Sequence, residues 1–212
     1  MTRLLDVGLE QLTMMVYKSG EVAESAINMS IRGFMNGKDV TEAVRELSDI
    51  IGAMTVEIEN KAFELIVKYQ PVASDLRIIN SYMKIAYDFE RYGRYAWDIS
   101  FTHKKLADLD ECAVSLDLMP KLIEKVSEMV SKSVEALREH DAELAKTLAD
   151  TEIEVDELYF ACLDQLSKAR GRSKCVTCNL LVSRYLERIA DHTTYVGEAI
   201  VYIATGEKIS LR

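Results

Sequence analysis

Apolar residues recur at three- and four-residue intervals along almost the whole chain, the period of helices that each turn one face to a core. Breaks in the pattern divide the 212 residues into six predicted helices. The first covers about Asp6 to Met35 and stops at Asn36-Gly37, residues suited to a helix C-terminus. The second begins from Asp39, with Glu42 three positions on in capping-box order. It must end by Gln70, because Pro71 disfavours helical geometry in the residue before it. Pro71, whose missing N–H does no harm in a first turn, opens a third helix that continues to about His103. A polar connector from Lys104 to Glu111 follows. The fourth helix covers Asp117 to Glu139, and the fifth runs from Asp141 to Arg170. Gly171 separates it from a sixth, Ser173 to about Thr205, with Gly206 beyond. Helices of this size are about 40–45 Å long. Short connections make neighbours antiparallel, so each half of the chain is predicted to be a three-helix bundle.

The two halves also match each other. Glu90-Arg91 in the third helix corresponds to Glu187-Arg188 in the sixth, an offset of 97 residues. The same offset places Glu57 on Glu154, Glu59 on Asp156 and Phe63 on Phe160 without a gap. The chain therefore reads as an internal duplication, residues 1–104 followed by residues 105–212. The predicted architecture is all-α: two tandem three-helix bundles, six long helices in all.

Composition narrows the function. Only two prolines and nine glycines interrupt the chain, which suits long helices. A formal net charge of -9 argues against a nucleic-acid partner, since phosphate backbones select basic surfaces. No apolar run is long enough to span a bilayer, and Met1 to Glu10 does not read as a signal peptide. The four cysteines set up no secreted disulfide framework in a chain of this length. A cytoplasmic protein is expected.

The candidate chemistry is acidic. At about 100° per residue, Glu187, Asp191 and Glu198 fall within roughly 40° of one another on the sixth helix. Val182, Leu186, Ile189, Val196, Ile200 and Ile203 gather on the other side. Such carboxylates repel unless a cation or an arginine offsets them, and Arg184 and Arg188 are placed to supply part of that charge. On the fifth helix Glu152 and Asp156 lie at the edge of the apolar stripe, while Glu154 and Glu157 point away. Two Glu-xxx-Asp pairs on adjacent helices converge into an oxygen-rich pocket for Fe, Mn, Mg, Ca or Zn; the alternative is a solvated acidic face. The first half departs from the pattern. Thr55 stands where Glu152 does and Arg94 where Asp191 does, leaving Glu59 and Glu90, the latter four residues from Arg94. Any metal is therefore expected in the second half, on Glu152, Asp156, Glu187 and Asp191, with Glu198 as a further ligand.

Other signals carry less. Cys175 and Cys178 are three apart, and without a second such pair they read as small core residues. Tyr82, Tyr87, Tyr92, Tyr95 and Trp97 crowd the third helix as core or interface residues. None of His103, His140 and His192 has Glu three residues before it, as di-iron helical bundles require. No Gly-rich phosphate loop and no Ser-His-Asp arrangement is present, so an enzyme is not the first expectation.

The run Gln70-Pro71-Val72-Ala73-Ser74-Asp75-Leu76-Arg77, followed by Asp88-Phe89-Glu90-Arg91-Tyr92-Gly93, resembles the first-repeat signature of the PhoU family. Leu186-Glu187-Arg188-Ile189-Ala190-Asp191-His192 resembles the second-repeat counterpart. The resemblance spans nearly the whole chain. It implies a six-helix protein that dimerises and represses phosphate uptake and phosphate-starvation signalling when phosphate is plentiful. It also implies contacts with the cytoplasmic face of the phosphate ABC transporter and with a sensor histidine kinase where one is present, and metal ions on Glu/Asp-xxx-Asp motifs. A metal-dependent enzyme or metal store built on the acidic stripe is the rival expectation.

Overall fold

The computed structural model describes residues 3–106, 117–168 and 173–212. Its helices are α1 (Leu4–Met35), α2 (Thr41–Tyr69), α3 (Ser74–Leu106), α4 (Met119–Glu139), the single turn α5 (Ala142–Lys146), α6 (Leu148–Lys168) and α7 (Ser173–Thr205). Among the described residues there is no strand. The six long helices are those predicted, and most ends fall within a few residues of the expected ones. The expected connector after α3 and the break at Gly171 lie largely outside the described residues.

Three local expectations are corrected. The fifth helix is interrupted at Thr147, where the chain restarts as α6 after the short α5. Asp141 caps α5 by accepting hydrogen bonds from the N–H groups of Glu143 and Leu144, each at 2.9 Å. Pro71 does not open α3; it lies in a turn between Gln70 (φ 48) and Ala73 (φ 50), both left-handed. The α2 start has no capping box: its N-cap is Val40, and Asp39 accepts from the Thr41 N–H at 3.0 Å.

Contacts between side chains fix the helix directions. Thr13 meets Tyr82 and Phe34 meets His103, so α1 and α3 run the same way. Thr41 bonds the carbonyl of Ser100 and Thr55 that of Ala86, so α2 runs against α3. Between the halves, Arg77 packs on Tyr202, Asp88 bonds His192 and Tyr95 stacks on Tyr185, so α3 and α7 are antiparallel. With 33 residues each, these two are about 50 Å long. They are the central pair: α1 and α2 pack on α3, while α4, α5 and α6 pack on α7.

The crowded aromatics are core. Tyr82, Phe89 and Tyr92 are wholly buried, and the Tyr92 hydroxyl reaches Ser133 of α4 at 3.1 Å. Tyr87 is the exception, exposed to solvent. Close approach of α2 to α3 depends on Gly93, where an added Cβ lies 2.8 Å from Ile51 Cδ1 and 3.4 Å from Ser48 Cα. From Leu186 to Val201, α7 has no exposed residue, and only Arg188, Tyr195 and Glu198 are half-buried. That burial forces polar groups at Glu187, Asp191, His192, Thr193 and Thr194 to find partners inside the protein.

A candidate cation crevice between α6 and α7

Two helices and the segment after α7 bring the acidic residues together. α6 contributes Glu152 and Asp156 four residues apart, and α7 contributes Glu187 and Asp191 with the same spacing. The side chains of Asp191, Glu152 and Glu187 are only 1%, 8% and 10% exposed. Burial raises the pKa of Glu152 and Glu187, and neighbouring carboxylates add to both shifts, Asp156 and Asp191 at Glu152 and Asp191 and Asp156 at Glu187. Glu152 and Glu187 thus each feel a carboxylate of the other helix across the crevice. Glu154 is held outside it by Lys125 at 2.6 Å, and Glu157 is exposed. Glu198 stands apart: it accepts the Leu211 N–H at 2.9 Å and lies near Asp88.

Arginines answer the charge. Arg184 pairs with Glu187 Oε1 at 2.7 Å and Arg188 with Asp191 Oδ2 at 2.5 Å, as their spacing suggests. No spacing along the chain points to the third. Arg212 lies between the two helices, its Nη2 2.6 Å from Asp191 Oδ1 and its Nε 3.7 Å from Glu152 Oε1. Its guanidinium also covers the Tyr195 ring at 5.5 Å. Glu187 Oε2 remains buried without a hydrogen-bond partner.

The donors are of the type a hard cation takes, all oxygens from two helices, and Glu187 Oε2 has no hydrogen-bond partner. Among the described residues, however, no three carboxyl, histidine or cysteine side chains are set at metal-ligand spacing. In this arrangement the guanidinium groups take the oxygens instead. In the first half, Glu90 pairs with Arg94 at 3.4 Å and Glu59 is exposed. Thr55, at the place of Glu152, gives its hydroxyl to the carbonyls of Ile51 and Ala86.

His192 does not face the crevice. Its Nδ1 is 2.7 Å from Asp88 Oδ1 in the other half, and burial raises the Asp88 carboxyl pKa, partly offset by that bond. The pairs Asp88–His192 and Tyr95–Tyr185 exchange under the 97-residue offset, and Arg91 exchanges with Arg188. The duplication is therefore visible as a local two-fold relation between α3 and α7. Tyr95 sits beside it. Burial would raise the phenol, but hydrogen bonds from Arg188 and Arg91 outweigh it and lower the pKa. Cys178 is a buried free thiol pushed up to about 11 by burial, and Cys175 is disulfide-bonded, so the two are not joined to each other.

The fold and crevice define a class of all-helical proteins made of two related three-helix units, with an acidic site in the second. Comparison with known proteins identifies it. A family model described as the PhoU domain matches residues 16–101 and again residues 119–200. The chain is 33% identical over 218 residues to the phosphate-specific transport system accessory protein PhoU homolog of Clostridium acetobutylicum, covering 100% of this chain and 99% of that one. A Pseudomonas aeruginosa homolog of the same name is 27% identical over 207 residues, 95% of this chain and 85% of that one. Crystal structures agree in fold. The phosphate transport system regulatory protein PhoU from Streptococcus pneumoniae superposes with a TM-score of 0.88 at 22% identity, covering 97% and 99% of the two chains. PhoU from Pseudomonas aeruginosa superposes at 0.76 with 27% identity, covering 96% of each. The chain belongs to the PhoU family.

Proposed function

We propose that the protein is a non-catalytic regulator of phosphate uptake and cellular phosphate homeostasis. It restrains the phosphate ABC transporter, and starvation signalling through a sensor histidine kinase where one is present, when phosphate is abundant. The observation that carries this reading is the match of both halves to the PhoU domain, supported by end-to-end similarity to a phosphate-specific transport accessory protein. The protein works in the cytoplasm and meets the membrane only through its partners. Among the described residues no helix is long and apolar enough to cross a membrane. Action by protein contact is supported by apolar side chains left exposed at equivalent places: Val56 and Phe63 on α2, Ile153 and Phe160 on α6. Deleting the gene is expected to raise phosphate uptake or starvation signalling in phosphate-rich medium. Unchanged uptake and unchanged transporter expression would overturn the reading. The protein acts as a homodimer, for which light scattering is expected to give twice the chain mass of 24.0 kDa at micromolar concentration.

Within this reading the crevice is a cation site in the second repeat. Glu152, Asp156, Glu187 and Asp191 supply oxygens to Fe, Mn, Mg, Ca or Zn, while Glu198, bonded to the Leu211 N–H, stays apart. A bound cation supplies positive charge where three buried carboxyl groups and the half-buried Asp156 otherwise repel. The orphaned Glu187 Oε2 supports this assignment. The rival reading, a metal-dependent enzyme or metal store, requires turnover of phosphorylated substrates with stoichiometric metal, or many ions per chain. Neither is expected.

A further inference from the structure

Ser81 of α3 carries a hydroxyl that the fold does not use. The residue is 1% exposed and its Oγ has no hydrogen-bond partner, whereas Thr13, Thr55 and Ser100 each bond a carbonyl one turn back in their own helices. Ser81 lines a cavity of about 510 Å³ between α3 and α7, on the seam of the two repeats. Asp88 and Glu198 line it too. Asp88 Oδ1 is taken by His192 and Glu198 Oε1 by the Leu211 N–H, and the second oxygen of each accepts no hydrogen bond among the described residues. The α3 wall continues to Asn80, about 12 Å along the helix from Asp88. Toward that end the charge reverses. Lys84 and Lys208 line the cavity, with Lys208 Nζ 5.5 Å from the centre of the Tyr202 ring. Arg77 packs on the same ring at 5.7 Å, and its Nε is buried without a partner. The bare backbone of Gly206 admits it: a Cβ there lies 2.8 Å from Arg77 Nη1. The chain has 35 acidic side chains against 26 basic ones, yet among the described residues no carboxylate pairs with Arg77, Lys84 or Lys208.

We propose that this cavity binds a phosphate monoester of a hydroxylated small molecule, a sugar phosphate or a nucleotide, with the phosphate at Lys84, Lys208 and Arg77 and the hydroxyl groups toward Ser81, Asp88 and Glu198. The proposal rests on the regulatory reading given above, to which it adds an effector. Each end narrows the ligand. Two ammonium groups and a guanidinium without a carboxylate suit a group of nearly two negative charges, which a phosphate monoester carries at neutral pH. At the other end carboxylate oxygens accept only from donors, so a second anion is refused there and hydroxyl groups are taken. Ser81 both donates and accepts, and so serves a hydroxyl in either sense. Inorganic phosphate meets the basic end alone, because it is too small to span about 12 Å. The volume lies in the range of pockets that enclose small-molecule ligands. Since α3 belongs to the first repeat and α7 to the second, the occupant touches both and stabilises the packing in which they meet.

The test uses the full chain as wild type, Lys84→Gln and Ser81→Ala. Titration calorimetry with ribose 5-phosphate, AMP and inorganic phosphate measures affinity, and a urea midpoint is taken for each protein without ligand. Ribose 5-phosphate or AMP should bind one to one, with inorganic phosphate about tenfold weaker for want of contacts at the acidic end. Tighter binding of AMP assigns the site to nucleotides, and tighter binding of ribose 5-phosphate assigns it to sugar phosphates. Lys84→Gln, at an exposed position, should weaken binding about tenfold, and Ser81→Ala about fivefold. Ser81→Ala removes a hydroxyl that bonds nothing in the fold, so its urea midpoint should not fall while its affinity does. Equal affinity for inorganic phosphate and the two esters overturns the two-ended site, as does binding that neither substitution weakens. No binding of any of the three probes overturns the proposal and leaves the regulatory reading standing, since gene deletion tests that reading without reference to this cavity.

Discussion

Asp88 of α3 and His192 of α7 are joined by a buried hydrogen bond of 2.7 Å, Oδ1 to Nδ1, across the seam between the two repeats. Both residues are almost wholly inaccessible to solvent. Removing either partner strands the other in a site where water cannot replace it. Asp88→Ala should therefore cost about 1–3 kcal/mol of unfolding free energy, read as a lower urea midpoint. A midpoint within error of wild type would show that the bond contributes nothing to holding the repeats together.

Metal binding should be asymmetric between the repeats. Asp191→Asn removes a charge from the crevice at nearly constant shape and should lower the metal content of protein loaded with Fe, Mn or Zn. Glu90→Gln, at the matching place in the first repeat, should leave it unchanged, because Arg94 already neutralises Glu90 at 3.4 Å. Equal loss in both variants would sink the asymmetry.

The crevice also makes a prediction in pH. Burial holds the Glu187 and Glu152 carboxyl groups above their ordinary pKa, so the folded protein binds their protons more tightly than the unfolded chain does. Their contribution is then fully present below the ordinary carboxylate pKa and is lost as pH rises through the raised folded values. Glu187→Gln removes one of these groups. It should raise the urea midpoint relative to wild type at pH 7.5, and the gain should shrink toward pH 4.5. A difference that stays constant over this range would show that Glu187 is not perturbed in the fold.

Gly93→Val tests the α2–α3 contact. Its side chain meets Ile51 Cδ1 and the Ser48 backbone, so Ile51 must repack or α2 must shift to make room. A loss of about 1–3 kcal/mol is expected. An unchanged midpoint would mean that the two helices separate freely.

What the sequence reveals here is what local spacing controls. The ends of α7 were legible because Gly206 stops a long periodic run. The Glu90–Arg94 pair was legible because it spans one helical turn. The convergence of Glu152, Asp156, Glu187 and Asp191 followed from helical phase and the antiparallel packing of neighbours. The break at Thr147 was not legible, because polar and apolar positions continue in phase through it. Arg212 lies beyond any periodic segment, and nothing in its neighbours' spacing says which carboxylates it meets. Asp88 and His192 are 104 positions apart, and only the crossing of α3 and α7 makes them partners.

The deep burial of α7 between Leu186 and Val201 has a mechanical consequence. Asp191 and His192 are consecutive, so about 100° of helix circumference separates the acidic crevice from the link to the other repeat. Both project from one stiff rod that has no loose turn between them. Twisting that rod by about 10° moves an atom 5–6 Å from its axis by about 1 Å, enough to stretch the 2.7 Å bond between His192 and Asp88 beyond hydrogen-bonding reach. The crevice and the seam are geared together. A change of occupant at Asp191 that rotates α7 is felt as torque at His192, and the first repeat must either turn with the second or let go of it.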